Sequence, residues 1–81
     1  MITVHVKLHG HLQRFHPEPE NKSQPFYITL PYDSTVSDLQ NKLNLPDEEV
    51  EIAVVNHEKV EFESKLSDGD FVGVLPLIAG G

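Results

Sequence analysis

The sequence ends in Gly80-Gly81, reached through Leu77-Ile78-Ala79 from a stretch that reads as a strand. Glycine carries no Cβ, so such a segment passes a narrow channel in another protein and lets foreign backbone approach closely. Extended from Leu77, it reaches roughly 16 Å beyond the strand. The reactive group at its tip is the α-carboxylate of Gly81, a poor electrophile that becomes a good one once activated. The alternative is an inert, frayed end.

The remaining candidates are weaker. Four of the five histidines, His5, His9, His11 and His16, fall early in the chain. A zinc site needs three or four ligands converging at about 2 Å, and the sequence has neither a His-Glu-x-x-His pattern nor any cysteine. No metal site is expected, and the histidines read as surface residues of a strand and a loop. Ser34 and Ser37 stand at a helix start, where capping accounts for them, and there is no Gly-x-Ser-x-Gly elbow. The acidic runs Glu48, Glu49, Glu51 and Glu58, Glu61, Glu63 read as a solvated face, with steering onto basic partner surfaces as the alternative. No catalytic constellation emerges, which makes the chain a co-substrate and not an enzyme.

Something must hold these residues. Ile2, Val4, Val6 and Leu8 alternate with polar residues and form a half-buried strand. Residues 9–25 are polar and punctuated by Pro17, Pro19 and Pro25, a loop anchored by Leu12 and Phe15 with room for one helical turn. Phe26, Ile28 and Leu30 share one face of a second strand. Thr35 or Ser34 caps a helix, Thr35-x-x-Asp38 is a short form of the capping box, and Val36, Leu39 and Leu43 make its buried stripe before Pro46. Residues 50–56 form a third strand, apolar on both faces. Asn56 to Lys59 is a turn, and Val60 to Phe62 a short fourth strand. Asp68-Gly69-Asp70 is a tight turn whose glycine takes a positive φ, and residues 71–76 are the last strand. There Val72 and Val74 face one way and Phe71 and Leu75 the other. Lone helix plus strands gives an α+β, β-grasp (ubiquitin-like) fold, a mixed sheet of four to five strands with one main helix on one face. The domain covers residues 1–76, and residues 77–81 form a flexible Gly-Gly tail. Phe71 and Leu75, continued by Pro76, Leu77, Ile78 and Ala79, form an apolar stripe toward the tail, of the kind that marks a partner site.

Composition narrows the classes further. At 81 residues there is one small domain. The net charge of −7 argues against nucleic acid, whose binders carry a basic patch. With no apolar run of membrane-span length and no signal-type leader, a cytoplasmic protein is expected. Without cysteine, no thiol of this chain can carry sulfur. No Gly-x-x-x-x-Gly-Lys loop is present, so any ATP is bound by a partner and this chain holds no cofactor.

Leu66, Asp68, Gly69, Asp70 and Val72, followed by Pro76, Ala79, Gly80 and Gly81, resemble the ending of the MoaD/ThiS family of ubiquitin-like sulfur carriers. The opening strand with Gly10 and Leu12, Thr35-Val36-x-Asp38-Leu39, and Val55-Asn56 are similar to the family as well, and residues 14–25 are the least similar part. The resemblance implies that a ubiquitin-activating-type adenylyltransferase uses ATP to adenylate Gly81. A sulfur donor then leaves a thiocarboxylate that enters a sulfur-acceptor enzyme, such as the molybdopterin synthase large subunit, whose small subunit this chain would be. Molybdopterin members often end in two prolines and a valine before Ala-Gly-Gly, whereas Leu77-Ile78 follow Pro76 here. Length favours the molybdopterin type over the thiazole type. The rival readings are a ubiquitin-like modifier joined to lysines through Gly81, and a plain interaction module.

Overall fold

In a computed structural model, which describes residues 1–77, five strands form one mixed sheet in the order β2-β1-β5-β3-β4. They are β1 (Ile2–Leu8), β2 (Phe26–Leu30), β3 (Val50–Val55), β4 (Glu58–Val60) and β5 (Phe71–Pro76), with one α-helix, α1 (Val36–Lys42). The central pair, β1 and β5, runs parallel in the register His5–Phe71 to Leu8–Val74, and the other pairs are antiparallel. This is the β-grasp arrangement the strand and helix order implies.

One sheet face builds the core. Val4, Val6, Leu8, Leu30, Val72, Val74 and Ala53 lie on it, closed over by Val36 and Leu39 of α1. Every second residue of β1 is buried, as strict alternation requires. The structure also settles the faces of β3. Ala53 pairs with Val74 and points into the core, so Ile52 and Val54 look outward.

The helix is short and its start is fully satisfied. Thr35 Oγ1 accepts from the Asp38 amide at 3.2 Å, and Asp38 returns a carboxylate bond to the Thr35 amide at 2.9 Å, completing the capping box. The amides of Val36 and Ser37 donate to the carbonyls of Ser64 and Phe62, so first-turn donors are met by the segment before β5. Buried Gln40, not foreseen as a core residue, donates to the Leu45 carbonyl and the Asp47 carboxylate and fixes the chain beyond the helix.

Three expectations are corrected. The fourth strand is Glu58–Val60 and not Val60–Phe62, because Asn56 and His57 both take positive φ (51° and 74°) and close a two-residue hairpin turn. The early polar loop holds two 3-10 helices, Gly10–Phe15 and Pro19–Asn21. Within it Leu12 is fully buried, and His16, expected at the surface, is buried as well. His16 Nδ1 accepts from the Glu18 amide at 2.8 Å, leaving Nε2 to donate to the Gln24 carbonyl at 3.0 Å. The ring is a peg that pins the loop.

Leu12 is therefore the apolar anchor of this segment. Leu12→Ala should cost roughly 3 kcal/mol of unfolding free energy, read by urea denaturation, as for other fully buried leucines. A loss below about 0.5 kcal/mol would mean the segment is undocked.

Candidate functional site

The Leu66 to Val72 motif proves to be scaffolding for β5. Asp68 accepts the Thr3 amide at 2.7 Å, tying the turn to the start of β1. Asp70 accepts the Ser67 amide at 2.7 Å and the Asn56 side-chain amide at 2.9 Å. Asn56 in turn accepts the Phe71 amide at 3.0 Å. Gly69 has φ +87°, in the left-handed region the turn demands. The motif residues are thus spent on holding β5 at a fixed height and register beside β1.

With β5 fixed, its outer residues face open solvent. Phe71 is exposed, Leu75 is half-buried and Leu77 is about half-exposed at 48%. Between Phe71 and Leu75 the position belongs to Gly73, whose missing side chain leaves a groove of about 330 Å³ walled by Val54, Phe71 and Leu75. Lys7, His9 and His57 stand at its rim. His5 extends the apolar surface sideways, stacked on Tyr27 with ring centres 4.3 Å apart and meeting Phe71 edge-on at 5.0 Å. A second hollow, lined by Ile52, Leu75, Pro76 and Leu77, continues the path along the strand. The structure therefore joins Phe71 and Leu75 in one groove and Leu75, Pro76 and Leu77 in the next, with Leu75 common to both. Ile78, Ala79, Gly80 and Gly81 lie outside the described residues.

Glu48, Glu51, Glu58, Glu61 and Glu63 are exposed, as a solvated acidic face requires, and Glu49 is the exception. Glu49 is bound by the Arg14 guanidinium and lies 3.3 Å from His11 Nε2. The Arg14 hydrogen bond outweighs desolvation and, with the Arg14 and His11 charges, holds the Glu49 carboxyl below its ordinary range. His9 sits over Gly73, its Nε2 only 3.5 Å from where a Cβ would stand. Burial, aided by the Lys7 charge, pushes its pKa below 6.5. Leu77, expected as the first free residue of the tail, donates its amide to the Glu49 carbonyl at 2.9 Å. Nothing in the sequence pairs residue 49 with residue 77 or 14. Among the described residues, no group of His, Asp or Glu converges to hold a metal, and no helix is long and apolar enough to cross a membrane.

A small mixed sheet with a parallel centre and one helix packed on one face defines a β-grasp, ubiquitin-like protein. The chain belongs to the Mut7-C ubiquitin family, whose model matches residues 1–80. Among solved structures it is similar to a putative molybdopterin converting factor subunit 1 from Pyrococcus furiosus, with 25% identity, 96% of this chain and 100% of that chain covered, and a TM-score of 0.73. It shares its fold with small archaeal modifier protein 1 from Haloferax volcanii, at 17% identity, 96% and 100% coverage and a TM-score of 0.73. It also shares its fold with a chain of the complex of subunits 1 and 2 of the molybdopterin-converting factor from Helicobacter pylori, at 20% identity, 99% and 100% coverage and a TM-score of 0.61. No curated protein matches the sequence.

His9 supplies a test of the groove. With its folded pKa depressed, the unfolded chain takes up the proton first as pH falls through 6.5, so this residue's contribution to stability is present above 6.5 and is lost below it. Its imidazole resonances should titrate below 6.5 in an NMR pH series, and a midpoint at or above 6.5 would contradict the buried placement.

Proposed function

We propose that this chain is a sulfur carrier that works through the carboxylate of Gly81. In the first step that carboxylate attacks the α-phosphate of ATP on a ubiquitin-activating-type enzyme, and pyrophosphate leaves. A sulfur donor then attacks the acyl adenylate, AMP leaves, and a thiocarboxylate remains for an acceptor enzyme of cofactor biosynthesis, molybdopterin-type before thiazole-type. The observation that carries the reading is the Gly80-Gly81 pair, three residues in sequence beyond the strand that completes a β-grasp sheet. Likeness to the Pyrococcus subunit supports it. So does the lack of cysteine, since sulfur would ride on the terminus and need no thiol of this chain.

The stripe of Phe71, Leu75, Pro76, Leu77, Ile78 and Ala79 then serves as the docking surface that leads into the partner's channel. Both the activating enzyme and the acceptor use it in this reading, and the nucleotide site is theirs. The protein acts as a co-substrate in the cytoplasm. The reading requires Gly81 to be the last residue in the cell.

The second reading, an isopeptide-forming modifier, draws on the same glycine pair and on the shared fold with small archaeal modifier protein 1. One incubation separates the two. The protein is mixed with an activating enzyme from its own cell, ATP and a sulfide source, and its intact mass is recorded. Exchange of one oxygen for sulfur supports the carrier, adducts on lysines support the modifier, and an unchanged mass opposes both. A native mass larger than that of residues 1–81 removes the Gly81 chemistry altogether.

Docking is tested by Leu75→Asp. A charge at the centre of the stripe should lower kcat/KM for activation by about tenfold or more while the melting temperature stays close to wild type. Unimpaired activation of the folded variant would remove the stripe from the interface.

A further inference from the structure

Residues 9–25 contain the part of the sequence least like the family, residues 14–25, and the docking stripe leaves their charged residues without a task. The structure puts them against the point where the chain leaves the sheet. Pro76 closes β5, and its ring packs on Gly10 so tightly that a Cβ there would lie 2.9 Å from Pro76 Cγ. Gly10 also has φ +57°, so a side chain at this position meets both a clash and backbone strain. The next residue, Leu77, donates its amide to the Glu49 carbonyl at 2.9 Å, which carries the β3–β5 pairing one step past Val50–Pro76. The Glu49 side chain then reaches back across the gap, where Arg14 and His11 hold its carboxylate. Arg14 is itself pinned, donating to the His11 carbonyl at 3.0 Å and lying over the Phe15 ring at 4.5 Å. Two segments distant in sequence, the 3-10 helix Gly10–Phe15 and the 3-10 turn Asp47–Glu49 that leads into β3, thus clasp the end of β5 and Leu77 from either side.

We propose that this clasp aims the tail, with Arg14, His11 and Glu49 as positioning residues for the chemistry at Gly81. The proposal rests on the sulfur-carrier reading. A docked domain whose β5 end is held at Pro76 and Leu77 starts its tail from one fixed point. A base free to swing must find the channel anew in each encounter, and small misplacements of a reacting group carry large rate penalties. The clasp acts after docking, so its loss changes turnover and not the affinity of the stripe. Its ion pair is exposed, and its role is direction more than stability.

Arg14→Gln and Glu49→Gln each remove the charged half of the clasp and leave the Glu49 carbonyl in place. Amide exchange at Leu77 should accelerate about threefold or more in both variants, with core amides such as Val6 and Val72 unchanged. Activation of Gly81 should lose roughly fivefold in kcat with KM within about twofold, Arg14→Lys should recover part of it, and the double variant should be no worse than either single one. Unchanged Leu77 exchange, or faster exchange with unchanged kcat, overturns the clasp while leaving the carrier reading intact. A rise in KM with kcat preserved also overturns it, because that result makes Arg14 a docking residue. Wild-type protein that is never activated removes the carrier reading and the positioning role together.

Discussion

The parallel pairing of β1 with β5 is the constraint on which the rest depends. It joins the first strand and the last at the centre of the sheet. Their inward residues, Val4, Val6, Leu8, Val72 and Val74, are the middle of the core. Parallel strands leave the sheet at the same edge. The segment that follows Leu8 and the segment that follows Pro76 are therefore neighbours by geometry. This is why Gly10 meets Pro76, and why a loop without apolar patterning still lies against the C-terminal end of β5. The Asp68-Gly69-Asp70 turn, wired to Thr3, Ser67 and Asn56, locks that pairing in register.

What the sequence reveals follows from how local each cause is. Alternation in β1 and β5, the Thr35–Asp38 cap and the positive φ of Gly69 are properties of neighbouring residues, and all could be read directly. The faces of β3 could not, because Val54 and Val55 are equally apolar and only pairing with β5 decides between them. The fourth strand starts two residues before Val60 because positive φ at Asn56 and His57 closes in two residues a turn that the polar run Asn56 to Lys59 makes look four residues long. His16 looked like one more polar loop residue, and its burial depends on two backbone partners that sequence patterning does not display. The apolar stripe was legible at Phe71 and Leu75 through strand period alone. The groove between them was not, since it needs Gly73, Val54 and His9 to meet from three different segments.

Charge shows the same division. The chain as a whole is strongly acidic, yet the rim of the groove carries Lys7, His9 and His57 and no carboxylate. Lys59 joins that face through its pairing with Val54. The acidic run beside β3 is turned partly inward to the clasp, through Glu49. A net charge describes how the molecule behaves in solution and attracts ions, whereas recognition is decided by which residues the pleat turns to one side.

The Thr3–Asp68 bond spans 65 positions in sequence, and the β1–β5 ladder spans a similar distance. Until β5 has been synthesised, the sheet exists only as two separated hairpins, β1–β2 and β3–β4, each too small to be stable alone. Such long-range closure is slow relative to helical proteins of the same size. On the ribosome, then, this domain stays open through most of its synthesis and closes in one late step, when its central strand leaves the exit tunnel.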